Sequence, residues 1–121
     1  MELAGGFNNV NSGYDYERFV MFCVKEAGYG CKQVGQTGDY GADLIVEVNG
    51  KSLVMQCKYH SSPVGYGAVQ EVYAAKSIYN AEWCCVVSNA SFTTQAEKGA
   101  MKLGVKLLSH FDVVDYLYSL K

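Results

Sequence analysis

The sequence predicts an α/β sandwich built on one mixed β-sheet. Apolar residues recur at helical spacing in several segments, a hairpin turn lies in the first half of the chain, and the later apolar strands are separated by helices. A tight turn joins antiparallel strands, whereas strands that are separated by a helix run parallel. The predicted order of elements is therefore α-β-β-β-α-β-α-β-α.

The first helix is predicted to follow residues 1–11, which are rich in glycine and asparagine and which we expect to form a flexible segment or a linker. A folded domain is expected over 12–121. Ser12 is a suitable N-cap, and Gly28 ends the helix. Glu17 lies at the rim of the apolar stripe, so its carboxylate is expected at the edge of the core. The stripe consists of Tyr16, Phe19, Val20, Cys23, Val24 and Ala27.

A β-hairpin is predicted around Asn49-Gly50, because both residues tolerate the positive φ angles of a type I′ turn. A short strand at 31–34 and a glycine-rich connection at 35–41 precede it. In the predicted register Asp43 faces Gln56 across the ladder, and Lys58 lies on the same face as Gln56. The opposite face is expected to carry Ala42, Leu44, Val46, Val48, Leu53, Met55 and Cys57.

The second half of the chain alternates helices with apolar strands. The continuous apolar run at 83–88 is typical of a central strand with helices on both faces. Thr94 and Glu97 have the spacing of a capping box, which predicts that Thr94 caps the third helix. The remaining predicted elements are a helix from Val69 to near Asn80, a strand at 105–108 and a final helix that is capped by Asp112.

The composition excludes several classes of protein. The chain has 121 residues, of which 50% are hydrophobic and 18% charged, as expected for one globular domain. The net charge of −2 gives no global basic field of the kind that favours nucleic acid. No apolar run reaches membrane-spanning length and no signal peptide is recognisable, so a cytoplasmic protein without a membrane partner is expected. The five cysteines lack CxxC spacing and are expected to be reduced thiols in the core.

Polar groups gather at the open end of the predicted hairpin. Mg²⁺ and Mn²⁺ accept one or two carboxylates together with neutral oxygens. The predicted ligands are Asp43, the amide oxygen of Gln56, the backbone carbonyl of Cys57 and, directly or through water, Glu17. Lys58 would orient and deprotonate the attacking water or stabilise charge on a phosphate. This set predicts phosphodiester hydrolysis, and the structural alternative is a cross-strand ion pair between Asp43 and Lys58.

The same residues carry a resemblance to a known family. Glu17 in the first helix, Gly41-x-Asp43 at the start of a strand and Gln56-x-Lys58 at the end of the next resemble the PD-(D/E)XK nuclease superfamily. More narrowly, GADLIVEVNGKSLVMQCKY, AVQEVYAAK and VVSNASFTTQAEKGA resemble the Mrr-type catalytic domain of type IV restriction endonucleases over roughly residues 12–118. Most of the superfamily has an acid at the position of Gln56, whereas the Mrr-like branch commonly has glutamine.

The resemblance implies a three-layer, restriction-endonuclease-like sandwich and Mg²⁺-dependent cleavage of DNA in restriction or defence, with Mn²⁺ as a possible substitute. Asp43, Gln56 and Lys58 would form the active site, with Glu17 as an accessory acid. It also implies a homodimer, or a fused or separate DNA-recognition domain. The expected substrate contacts are Gln70 in the next helix, Tyr59 through stacking on bases, and Thr93 at a helix start that could receive a phosphate.

Two other functions stay open at the level of the sequence. One is a structure-selective nuclease similar to the archaeal Holliday junction resolvases, which share the fold and the helical acid. The other is a degenerate nuclease fold that binds DNA or a protein partner without cutting. The second alternative is suggested by Gln56 and by the absence of a basic face. Cleavage of junction against linear substrates, and metal binding, would separate these possibilities.

Overall fold

The computed structural model describes residues 6–34 and 41–121, and its element order is the predicted one with two short 3-10 turns added. The helices are α1 (Gly13–Glu26), α2 (Tyr66–Ile78), α3 (Thr94–Leu103) and α4 (Val113–Ser119). The strands are β1 (Gly30–Gln33), β2 (Leu44–Val48), β3 (Lys51–Lys58), β4 (Trp83–Ser88) and β5 (Lys106–Ser109). The 3-10 turns are Phe7–Asn9 and His110–Asp112. The predicted connection at 35–41 lies, apart from Gly41, outside the described residues.

One five-stranded sheet has the order β1-β2-β3-β4-β5, the same as the order along the chain. β2 pairs antiparallel with β1 and with β3. The pairs β3–β4 and β4–β5 are parallel, and α2 and α3 provide the crossovers between them. The predicted mixed sheet is thus confirmed.

Two apolar clusters on opposite faces of the sheet make the fold a three-layer sandwich. The first cluster lies between the sheet and helices α1 and α4, and the second lies between the sheet and helices α2 and α3. The central strand β4 serves both, because Cys85 and Val87 belong to the first cluster while Cys84 and Val86 belong to the second. This explains its continuous apolar sequence. Across the described ranges, no helix combines the length and apolarity that crossing a bilayer requires.

The described part of the N-terminal segment packs on the first cluster. The ring of Phe7 stacks on His110 with centroids 4.7 Å apart and lies 6.1 Å from the ring of Tyr16. Val10 is buried. Phe7 and Val10 thus pack against the first cluster, and the flexible segment or linker expected at 1–11 stays a prediction. Residues 1–5 lie outside the described residues, and the domain boundary at residue 12 stays a prediction.

Helix capping is confirmed at α1 and differs from the prediction at α3 and α4. The hydroxyl of Ser12 accepts a hydrogen bond from the backbone N–H of Asp15. At α3 the cap is Thr93, whose Oγ1 accepts from Ala96 N at 3.0 Å, so the prediction of Thr94 was wrong by one residue. The backbone N–H of Thr93 donates to the carbonyl of Val64, and this contact holds Thr93 extended and delays the start of the helix.

At α4 the side chain of Asp112 makes no capping hydrogen bond, contrary to the prediction. Asp112 is the last residue of the 3-10 turn, so the position where a cap is needed lies earlier in the chain. Ser109 occupies that position, and its hydroxyl accepts from the N–H of Phe111 at 3.0 Å. A short 3-10 turn in front of a helix therefore shifts the capping residue by several positions.

We expect Thr93→Ala to lower the free energy of unfolding by about 1 kcal/mol, because it removes the acceptor for Ala96 N–H. Thr94→Ala is the matched control, since Thr94 is an exposed residue in the first helical turn and alanine has the higher helix propensity. Urea denaturation followed by circular dichroism measures both variants. A loss for Thr94→Ala as large as that for Thr93→Ala would contradict the observed cap.

Candidate active site

The β2–β3 hairpin has the predicted turn and register. Asn49 and Gly50 have φ angles of 52° and 79°, as a type I′ turn requires. The ladder begins with the pair Val48–Lys51 and continues without interruption to Leu44–Met55. The turn therefore fixes the register of the two strands that carry the candidate residues.

A β-bulge at Asp43 changes the geometry beyond this ladder. Leu44 pairs with Met55, yet the backbone N–H of Asp43 also donates to the carbonyl of Met55, at 2.9 Å. Two consecutive residues thus face one residue of β3. The predicted pairing of Asp43 with Gln56 does not occur in the ladder. The extra residue also shifts the alternation, so Ala42 lies in the cluster under α2 and α3 and not, as predicted, on the face of Leu44.

The carboxylate of Asp43 is nevertheless brought to the end of β3. Its Oδ2 accepts a hydrogen bond from the backbone N–H of Cys57 at 2.8 Å. Cys57 lies between Gln56 and Lys58, so this bond holds the carboxylate against the segment that carries both of them. The bulge therefore replaces the predicted cross-strand pair with a contact from side chain to backbone.

Gln56 is one of the two buried polar residues among those described, and it is 5% exposed. Its Nε2 donates to the carbonyl oxygen of Gly41 and to Oε1 of Glu71, each at 3.1 Å. These two acceptors define which end of the amide is nitrogen. Its Oε1 is buried and has no hydrogen-bond partner in the described part of the chain. An unsatisfied buried acceptor costs about 1–3 kcal/mol, so this oxygen is suited to receive a donor or a cation.

The ammonium of Lys58 lies 3.8 Å from Oε1 of Glu71. The sequence suggested a pair with Asp43, whereas the ion pair observed here reaches across to helix α2. The side chains of Lys58 and Glu71 are 31% and 57% exposed, so solvent screens the pair and its contribution to stability is small. Lys58 therefore keeps access to solvent at the end of the hairpin.

An open cavity of about 500 Å³ brings these groups together. It lies at the open end of the hairpin, between the sheet and α2. The lining residues are Gly41, Asp43, Gln56, Cys57, Lys58, Glu71 and Ala74. The carboxylate, the carboxamide and the ammonium that the sequence singled out thus face one space.

Glu71 belongs to this cavity although the sequence analysis did not identify it. Its neighbour Gln70, which we expected to contact substrate, is exposed and does not line the cavity. α2 approaches the site closely at Gly41, which has a φ of 89° and where a Cβ atom would lie 2.4 Å from the backbone oxygen of Glu71. The glycine before Asp43 was the signal in the sequence for a close backbone contact, but its partner could not be read from the pattern.

Glu17 lies on the α1 side of the sheet and is not among the lining residues of the cavity. Its Oε2 accepts a hydrogen bond from Nε2 of Gln33 at 2.6 Å. Burial raises the pKa of the Cys57 thiol well above its ordinary value, and the carboxylates of Asp43 and Glu17 raise it further. The thiol of Cys57 therefore stays protonated.

Tyr59 and Thr93 have structural contacts. The hydroxyl of Tyr59 donates to the carbonyl of Val10, and its ring lies 5.7 Å from that of Tyr16 in the first cluster. Thr93 caps α3, and its backbone N–H is bonded to Val64. Substrate contact by either residue stays a prediction.

Three solved structures have a similar fold. A protein of unknown function, AF1548, is 25% identical with a TM-score of 0.62, and the match covers 78% of this chain and 57% of that one. VC1899 from Vibrio cholerae is 19% identical with a TM-score of 0.60, over 89% and 33% of the two chains. The DNA modification-dependent restriction endonuclease AspBHI is 15% identical with a TM-score of 0.54, over 92% and 38%.

The chain therefore spans 57% or less of the length of each of these three proteins. A comparison with curated proteins gives no match. The profile of a restriction endonuclease family, Mrr_cat, matches residues 9–117, which include the whole sheet and every residue that lines the cavity. On this match, the chain belongs to the Mrr_cat family of restriction endonucleases.

Proposed function

We propose that this domain is a Mg²⁺-dependent endonuclease that hydrolyses phosphodiester bonds of DNA, in restriction or defence. The observation that carries the proposal is the cavity lined by Asp43, Gln56 and Lys58, in which the amide oxygen of Gln56 has no hydrogen-bond partner among the described residues. Membership of a restriction endonuclease family supports a nuclease reaction. The role of each residue is derived from its position in this cavity.

The donor set fits a hard divalent cation. Asp43 supplies a carboxylate, and Gln56 supplies a buried oxygen that receives no hydrogen bond from the described residues. The N–H and C=O of one strand residue point towards the same neighbouring strand, so the carbonyl of Cys57 lies on the side where its N–H meets Asp43. In the described ranges no three His, Cys, Asp or Glu side chains gather at one point. A site with few charged side chains suits Mg²⁺ or Mn²⁺ better than it suits zinc, because Mg²⁺ and Mn²⁺ keep several of their water ligands.

Each of the chain's own groups would have a separate role in hydrolysis of the phosphodiester. Mg²⁺, when bound, polarises a phosphate oxygen and lowers the pKa of water. Asp43 and Gln56 would hold it, and Glu17, which does not line the cavity, would act through water. The ammonium of Lys58 would orient the attacking water and stabilise the negative charge that grows on the phosphate.

The proposed assembly is a homodimer or a nuclease domain joined to a DNA-recognition domain. In either case DNA would approach the open side of the cavity. Contact of DNA with Gln70, Tyr59 or Thr93 stays a prediction.

Removal of metal tests this function. We expect the chain to nick or linearise supercoiled plasmid in Mg²⁺ or Mn²⁺, to stop when EDTA is added in excess, and to resume when Mg²⁺ is restored. Unmodified plasmid, base-modified plasmid and four-way junctions are tested side by side, since the lining of the cavity does not define the base context. Cleavage that continues in EDTA would refute the metal requirement. DNA binding without cleavage of any of these substrates would indicate the binding module instead.

A further inference from the structure

We infer that Glu71 is a positioning residue that fixes the side-chain amide of Gln56 so that its oxygen, and not its NH₂ group, faces the metal site. The inference rests on the proposed function, because it concerns how Gln56 serves as a ligand. It also gives a reason for the close contact between α2 and the end of the hairpin.

The side-chain amide of a glutamine can take two orientations that are not equivalent, whereas the two orientations of a carboxylate are equivalent. A carboxylate presents an oxygen in either orientation, whereas the two ends of an amide have nearly the same shape and opposite hydrogen-bonding character. Only the oxygen can bind a cation. A site that depends on glutamine therefore needs a device that selects one of the two orientations.

The two acceptors around Nε2 provide that device. The amide nitrogen carries two N–H groups, and the carbonyl of Gly41 and Oε1 of Glu71 each accept at 3.1 Å. Rotation of the amide by 180° would place Oε1 against two acceptors and the N–H groups where Oε1 now lies. In the observed orientation Oε1 is buried and has no hydrogen-bond partner among the described residues.

Glu71 is the stronger of the two acceptors. A hydrogen bond to a carboxylate is roughly twice as strong as one to a neutral carbonyl. Glu71 is also fixed in position, because its backbone packs directly on Gly41. The same oxygen, Oε1, lies 3.8 Å from the ammonium of Lys58, so one carboxylate orients both side chains of the Gln-x-Lys motif.

A double-mutant cycle in Mn²⁺ binding tests the inference, with isothermal titration calorimetry as the readout. In the parent chain, Glu71→Ala should weaken Mn²⁺ binding by about 10-fold to 100-fold, as loss of an orienting group does in metal sites. In the Gln56→Glu background the same replacement should change the affinity by less than about twofold, since a carboxylate needs no orientation. Glu71→Gln, which keeps the volume and an oxygen acceptor, should fall between the parent chain and Glu71→Ala.

Glu82→Ala is the matched control. It removes the same charge from an exposed residue whose backbone bonds to Ser52, at the other end of β3, and it should leave Mn²⁺ affinity within about twofold of the parent. Thermal unfolding confirms that each variant is folded at the titration temperature, and Glu71→Gln carries the test if Glu71→Ala is not.

The outcomes separate the inference from the proposed function. If Glu71→Ala weakens Mn²⁺ binding equally in both backgrounds, Glu71 acts only through its charge. The inference that it positions the amide of Gln56 is then overturned. Unchanged affinity of both Glu71 variants in the parent background would also overturn it, while Mn²⁺ binding that is lost in Asp43→Asn would leave the proposed function standing. Absence of saturable Mn²⁺ binding in the parent chain would overturn both.

Discussion

Replacement of Asp43 by asparagine is expected to reduce DNA cleavage by at least about 100-fold and to remove Mn²⁺ binding. Asp43 and Glu71 are the acids that line the described cavity, and Oε1 of Glu71 is occupied by Gln56 and Lys58. We therefore propose Asp43 as the anionic ligand of the cation in this cavity. Asparagine keeps the shape of the side chain and an oxygen that can accept the N–H of Cys57, so the bulge should persist. Plasmid cleavage and Mn²⁺ calorimetry measure the two effects.

Asp115→Asn is the control for this experiment, because it neutralises an exposed acid on α4 without touching the cavity. It should change neither cleavage nor Mn²⁺ affinity. If the Asp43→Asn variant cuts DNA as fast as the parent chain, Asp43 does not hold the metal ion that the reaction needs. Loss of cleavage with Mn²⁺ binding intact would place Asp43 in the reaction but outside metal binding.

Lys58→Ala is expected to slow cleavage by about 100-fold to 1,000-fold, comparable to the loss of one group that stabilises a transition-state charge. Mn²⁺ affinity should be retained or increased, because a positive charge next to the site disappears. Lys58→Arg should restore the rate only in part, since guanidinium is a planar fork and cannot give up a proton as an ammonium can. Single-turnover cleavage at saturating Mg²⁺ isolates the chemical step.

Lys51→Ala provides the comparison within the same strand, because Lys51 is an exposed residue at the first position of β3, beside the hairpin turn. The parent rate is expected for this variant. Parallel loss of cleavage and of Mn²⁺ binding in Lys58→Ala would mean that Lys58 holds the site together and does not act on the phosphate.

Local turn chemistry made the hairpin predictable from the sequence. Asn49 and Gly50 specify the type I′ turn, and the turn fixes the pairing up to Leu44 and Met55. The pattern failed at Asp43 because a bulge adds a residue without leaving a periodic signal. Gly41 packs on α2 beside this bulge, a tertiary contact that no local rule describes. Asp43, Gln56 and Lys58 line one cavity, as the pattern suggested, but their part in a site stays a prediction and the contact partner of each was not predicted.

The capping residues of helices and the orientation of helix faces were also only partly predictable from the sequence. Thr93 and Thr94 are both suitable caps, and the contact of Thr93 with Val64 decides between them. Gln70 and Glu71 are both polar, and the position of α2 over Gly41 decides which of the two reaches the cavity. In each case two adjacent residues are equally suitable by sequence alone. A contact with a distant segment determines which of them caps the helix or reaches the cavity.

The agreement between strand order and chain order has a consequence for how the molecule folds. All residues that line the cavity fall between Gly41 and Ala74, within the continuous segment that forms β2, β3 and α2. Pairing of neighbours along the chain keeps the entropic cost of loop closure low and favours fast folding. We therefore expect the cavity to form together with the hairpin and the helix that follows it. Glu17, on α1, is the one proposed ligand that must join from outside this segment.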